Sequence, residues 1–376
     1  MKTRTRSLVL ILAALVGCSG KKDKEQKLEP QPEPTAPTPV EPPPAPRASQ
    51  SPLPSLPELA LEADPKRADK IALGHALFFD KRLSGANDRS CYSCHQNEDG
   101  TGGHDPVAIG SGDKPLTRHA PVIWNTGYWR NAFYWDGRAK TLEDNVKGAW
   151  GAGNMGGAPA DAKPEEVVAA LDKRAAKLAA IPGYKKLFDA AFPGAPIKAE
   201  QVDSAIAEYM RTLVCKDTAY DKYAAGDKTA LTDQQQKGLD LFAGKAKCVT
   251  CHAPPFFSTA MGMDGGVYFN IGIGTDGVAE DKVDVGRMKV TNVATDWAAF
   301  KPPSLRNISK SAPYFHNGSV AKLDDAVKLM ASGGIANKNK TPLLEDSKLT
   351  DAERADLVAF LGALDCPGKL EEPKLP

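Results

Sequence analysis

The chain has 376 residues, of which 41% are hydrophobic and 25% charged, with a formal net charge of +1. That composition fits a globular protein with room for two domains of ordinary size plus extra segments. The balanced charge and the lack of a long basic stripe argue against a nucleic-acid partner.

The chain opens on an address. Lys2, Arg4 and Arg6 make a basic start, and Leu8 to Val16 form an apolar run too short to span a bilayer. Leu15-Val16-Gly17-Cys18 resembles a bacterial lipobox, which predicts a signal peptide over 1–17 and a lipid anchor on Cys18. An ordinary signal peptide cut nearby is the other reading. Both predict export, and lipidation adds anchoring to a bacterial membrane on the periplasmic side. Residues 18–57 then read as a tether, with twelve prolines between Pro30 and Pro57. Proline fixes φ and removes backbone donors, so this segment favours an extended spacer, ahead of a ligand for a proline-binding module.

Beyond it, apolar spacing predicts a helix over 64–80, with Ile71, Leu73, Leu77 and Phe78 on one side. Cys91-Tyr92-Ser93-Cys94-His95 follows. Val202, Ala205, Ile206, Tyr209, Met210 and Leu213 recur at helical spacing. Thr232 with Gln235 forms a capping box ahead of Leu239, Leu241 and Phe242, and then comes Cys248-Val249-Thr250-Cys251-His252. Thr350 with Glu353 caps a last helix carrying Leu357, Val358, Leu361 and Leu364. The predicted fold is mainly α and loop-rich, with two cytochrome c-like domains over 58–225 and 226–376.

Both cysteine strings read C-x-x-C-H. The chemistry of covalent c-type haem requires that spacing: two thiols add across the vinyl groups and the adjacent imidazole binds iron. A zinc site would set its C-x-x-C pairs some 15–20 residues apart, and a redox-active C-x-x-C has no need of the following His. Two haem c groups are therefore expected, on Cys91, Cys94 and His95 and on Cys248, Cys251 and His252.

Further strings extend the pattern. They are Leu77-Phe78-Phe79-Asp80, Phe133-Tyr134-Trp135-Asp136-Gly137-Arg138-Ala139, Phe300-Lys301-Pro302-Pro303-Ser304-Leu305-Arg306-Asn307 and Pro313-Tyr314-Phe315-His316-Asn317-Gly318. With the haem motifs, they make the chain resemble the bacterial di-haem cytochrome c peroxidases, a family that includes the MauG-type enzymes. The resemblance implies that the first haem is peroxidatic, with His95 as its proximal ligand. It implies that the second receives electrons, held by His252 and by Met330, and that Trp135 conducts between them. On its own, Met330 on an amphipathic helix reads as a core residue, and Trp135 reads as core packing. Arg138 and Arg306 read as partners of haem propionates, as structural partners of another buried anion, or as helix-surface ion pairs. Hydrogen peroxide and a small donor, a cytochrome c or cupredoxin, are the implied substrates; a homodimer is implied by resemblance alone.

The chain departs from its relatives around the first haem. Ile109-Gly110-Ser111-Gly112 stands where they carry I-G-H-G, and serine is a poor iron ligand. Asn154-Met155 replaces an E-M pair whose Glu moves protons, and Asn145 replaces a Gln. Asn can orient peroxide but cannot accept a proton. His104 is the one candidate to substitute as ligand or base, against the plainer reading of a loop histidine. His119 replaces an Asn that helps relatives hold calcium, which leaves calcium open. His316 reads as a residue of the haem junction, and Cys215 and Cys366 as a disulfide if the fold brings them together. The functional expectation is a peroxidase with weakened acid–base chemistry. The alternatives are a non-catalytic di-haem electron carrier and a MauG-like maturation enzyme, though the latter place Tyr where Met330 stands.

Overall fold

The computed structural model describes residues 54–151, 153–159 and 161–376. The expected signal peptide, Cys18 and the tether up to residue 53 lie outside the described residues. Helices dominate: α1 (Arg67–Phe79), α2 (Leu142–Trp150), α3 (Pro164–Ala179), α4 (Pro182–Ala191), α5 (Ala199–Arg211), α6 (Ala219–Ala224), α7 (Asp233–Ala243), α8 (Met288–Thr291), α9 (Leu323–Ala331) and α10 (Asp351–Gly362). Among the described residues the sheet is one short antiparallel pair, β1 (Ile109–Gly110) and β2 (Lys114–Pro115), with Ile109 opposite Pro115.

Two apolar clusters organise these helices. In the first, Leu73, Leu77 and Phe78 of α1 meet Val202, Ile206 and Met210 of α5. In the second, Leu239 and Phe242 of α7 meet Leu357, Phe360 and Leu361 of α10. Each pair crosses at a glycine. A Cβ on Gly74 would fall 1.9 Å from the Ala205 carbonyl oxygen, and one on Gly238 would fall 2.0 Å from that of Asp356. Eleven residues separate α1 from the first C-x-x-C-H string and four separate α7 from the second, so a glycine crossing precedes each motif. The predicted capping boxes form. Thr232 N donates to Gln235 Oε1 at 3.0 Å and Thr350 N to Glu353 Oε2 at 2.7 Å, each reciprocated by the threonine hydroxyl.

The loops repeat as well. A bridge pairs Phe133 with Ala139 in one hairpin and Tyr314 with Val320 in another. Tyr134 (φ 63°) and Phe315 (φ 71°) occupy equivalent positions in the left-handed region, which bulky side chains rarely enter. This places Trp135 and His316 at matching positions of the two halves. Asn125 and Asn307, also left-handed, each accept the backbone N–H of a cysteine, Cys215 at 2.7 Å and Cys366 at 2.9 Å. Those cysteines form the disulfide, with Cα atoms 5.2 Å apart. The chain after α10 returns to the first cluster through Cys366 and Leu370, while Tyr220 of α6 packs in the second.

Candidate functional site

A tight turn builds the first motif. Cys94 N donates to Cys91 O at 3.2 Å and His95 N to Tyr92 O at 3.1 Å. His95 Nδ1 lies 2.9 Å from the Thr101 carbonyl, so it carries the proton and leaves the Nε2 lone pair available. Burial pulls the His95 pKa down to about 4, which keeps the ring neutral, as a metal ligand must be. Burial also pushes the Cys91 thiol up to about 12. The second motif repeats the arrangement: His252 Nδ1 faces the carbonyls of Phe257 at 3.0 Å and Pro303 at 3.1 Å, and its pKa is lowered by burial. Cys91, Cys94, Cys248 and Cys251 are all free thiols.

Cys91, Cys94 and His95 open on a cavity of about 250 Å³ whose walls also include Trp135, Asn145 and Asn154. Residues separated by more than fifty positions thus meet in one space. Two free thiols and a neutral imidazole, at a mainly apolar cavity, are the donor set that covalent haem requires. The same donor set recurs at Cys248, Cys251 and His252. Met330 lies on α9, half-buried, outside the residues named in the two main apolar clusters.

The halves meet around Trp135. Its indole N–H donates to the His119 carbonyl at 2.9 Å, and its own carbonyl accepts Lys301 N at 2.9 Å. His316 stands edge-on to it with ring centroids 6.5 Å apart, and stacks on Phe300 at 3.7 Å. Burial lowers the His316 pKa to about 4. Arg118 ties the neighbouring Asp136 at 2.7 Å to Asp284 at 2.6 Å.

Comparison with known proteins matches this architecture. The profile of the di-haem cytochrome c peroxidases matches residues 68–229, and that of cytochrome c matches 235–365. The methylamine utilization protein MauG of Methylorubrum extorquens is 34% identical over 317 residues, 84% of each chain. The cytochrome c551 peroxidase of Pseudomonas aeruginosa is 34% identical over 325 residues, again 84% of each. The chain belongs to the di-haem cytochrome c peroxidase family. Among solved structures, a MauG-like protein associated with microbial copper homeostasis superposes with a TM-score of 0.70 at 30% identity, covering 86% of this chain and 96% of that one. The fold is accordingly that of two haem domains, mostly helical.

The polar residues expected around the first cavity do not all reach it. Ser111 does not line it. The Ser111 hydroxyl donates to Asp88 Oδ1 at 2.7 Å and accepts from Ala86 N at 3.1 Å, so it braces a loop. The Ser111 hydroxyl and Gly112 N–H hold the Asp88 carboxyl down at about 2. His104 is also outside the cavity wall, half-exposed between Asp99 at 3.4 Å and Asp105 at 3.1 Å, which leaves it a loop histidine. His119 does line the cavity, with Nδ1 2.9 Å from the Asp105 carbonyl.

Arg306 is not a surface residue. It is fully buried in a two-pronged pair with Asp221, 2.8 and 2.7 Å, and also donates to Pro255 O, so its donors are committed within the protein. Arg138 lines the cavity, pairs with Asp136 at 3.0 Å and lies over the Tyr134 ring at 3.7 Å. Sequence reasoning overlooked Lys301, whose ammonium sits 3.2 Å from the Trp129 ring centroid on the cavity wall. Burial holds its pKa well below that of an ordinary lysine. Its place before the prolines of a string already singled out was the available signal.

Proposed function

We propose that this protein is a peroxidase that reduces hydrogen peroxide to water with electrons from a small soluble redox protein, a cytochrome c or cupredoxin. The observation that carries this reading is the first cavity, where Cys91, Cys94 and His95 share walls with Asn145, Asn154 and Trp135. Cys91, Cys94 and His95 would hold one haem, and Cys248, Cys251, His252 and Met330 the other. When bound, haem supplies iron that takes up peroxide in the first domain and relays electrons in the second. Thr101 fixes His95 through Nδ1, and two carbonyls do the same for His252. Asn145 and Asn154 donate hydrogen bonds that orient peroxide without exchanging its proton. Trp135, bonded to His119 on one side and Lys301 on the other, is the electron bridge between the domains. We assign domain limits of 58–225 and 226–376, preceded by an exported, lipid-anchored segment starting at Cys18. That assignment is supported by the lipobox-like string and the proline-rich tether.

A second reading, a di-haem electron carrier without peroxidase chemistry, is favoured by one observation: Ser111 is turned away and the candidate distal residues Asn145 and Asn154 carry no titrating side chain. Mixing holoprotein, reduced donor and peroxide separates the two. The peroxidase reading expects peroxide-dependent oxidation of the donor. Donor oxidation by another redox protein but never by peroxide would establish the carrier.

A further inference from the structure

The wall of the first cavity includes the buried tryptophan Trp150. Trp150 ends α2, the helix that also presents Asn145, and is 1% exposed. Its indole N–H donates to Asp203 Oδ1 on α5 at 2.6 Å. Asp203 is itself 5% exposed, and among the described residues no Lys or Arg pairs with it at ion-pair distance. A buried carboxylate at the nitrogen of an indole is placed to take its proton. That matters only if the indole loses an electron, because the N–H of neutral tryptophan is far too weak an acid to transfer. Loss of one electron makes the same N–H strongly acidic. An oxidant generated in this cavity would therefore find, in one wall, a reductant with its proton acceptor already hydrogen-bonded.

We propose that Trp150 and Asp203 form a proton-coupled redox pair serving the first cavity. The balance is one electron and one proton. The indole N–H bond breaks, the electron passes to the cofactor oxidised by hydrogen peroxide, the proton moves to Asp203 Oδ1, and a neutral indolyl radical stays on Trp150. An electron from the donor, with return of the proton from Asp203, restores the pair. This inference rests on the peroxidase reading above. It gives the cavity a titrating group at one remove, where Asn145 and Asn154 offer none at first hand. Burial raises the Asp203 pKa to about 7; the charged groups acting on it from α2 are Lys147, which favours the carboxylate, and Asp144 and Glu143, which oppose it. The acceptor form thus fills as pH rises through neutrality.

The test is freeze-quench electron paramagnetic resonance of ferric holoprotein mixed with hydrogen peroxide, with and without ring-deuterated tryptophan. The expected result is an organic radical that narrows on deuteration, grows between about pH 6 and about pH 8, and is lost in Trp150→Phe. Because Trp150→Phe removes a core ring, Asp203→Asn provides a second variant of nearly equal volume, whose amide accepts the hydrogen bond but not the proton. There the radical yield should fall and lose its pH dependence. Peroxide consumption by the wild type with a radical unchanged in Trp150→Phe, or a yield in Asp203→Asn equal to wild type at about pH 8, overturns the pair alone. A holoprotein inert to peroxide overturns the peroxidase reading and this inference together.

Discussion

At Asn154 the choice between an amide and a carboxylate separates hydrogen bonding from proton transfer. An amide on the cavity wall orients peroxide, whereas a carboxylate would also shuttle its proton. Asn154→Glu should therefore raise the rate of peroxide reaction, by roughly 10² if general acid–base help reaches its usual lower range. Stopped-flow spectroscopy checks this, and an unchanged rate would remove Asn154 from the distal site. Asp203 gives a prediction on stability. Its carboxyl pKa is raised from 3.8 to about 7 by burial. Between those values the folded state keeps a proton that the unfolded state has released, so stability is fully present below about pH 4 and falls as pH rises to about 7. The slope for this one group is at most about 1.4 kcal/mol per pH unit. Denaturant titrations across that window should show Asp203→Asn lacking this component; identical slopes in the two proteins would contradict the assignment.

At the scale of elements, the crossings at Gly74 and Gly238 set how closely the helix before each haem motif approaches its partner. Gly74→Ala must separate α1 from α5, since the added carbon would lie 1.9 Å from a carbonyl oxygen. A loss of about 1–3 kcal/mol is expected, read as a lowered unfolding midpoint, and an equally stable variant would show that the crossing is loose. These helices were legible in the sequence because apolar spacing and the Thr–x–x–Gln and Thr–x–x–Glu caps are local signals. The haem strings were legible for the same reason. The glycine crossings were not, since a helical glycine announces nothing about its neighbour. Nor was the direction of Ser111: the replacement of histidine could be read, but its bond to Asp88 depends on a loop twenty-three residues away. The partner of Arg306 was not legible for a similar cause, because Asp221 lies 85 residues earlier.

Over the whole molecule, the two halves are joined by the disulfide, by the Arg118 bridge between Asp136 and Asp284, and by the contacts of Trp135. Cys215 and Cys366 are 151 positions apart, so their bond removes a long loop from the unfolded ensemble. Replacing both with serine should lower stability by about 2–5 kcal/mol while leaving both haem motifs intact. Calorimetry of the holoprotein reads the loss; unchanged unfolding would mean that the noncovalent contacts hold the halves together unaided. The sequence left this pairing open because nothing local brings the two cysteines near each other. It needed the repeated asparagine turns at Asn125 and Asn307, each of which grips one cysteine backbone.

The central claim is that one chain holds two unlike haems, one with an open face at His95 and one closed by His252 and Met330. Low-temperature electron paramagnetic resonance of the fully oxidised holoprotein addresses it directly. A high-spin ferric signal and a low-spin one in equal amounts are predicted, with no reductive activation needed to produce the first. Two low-spin signals, the first from an iron held by two histidines, or a single haem per chain, would contradict it.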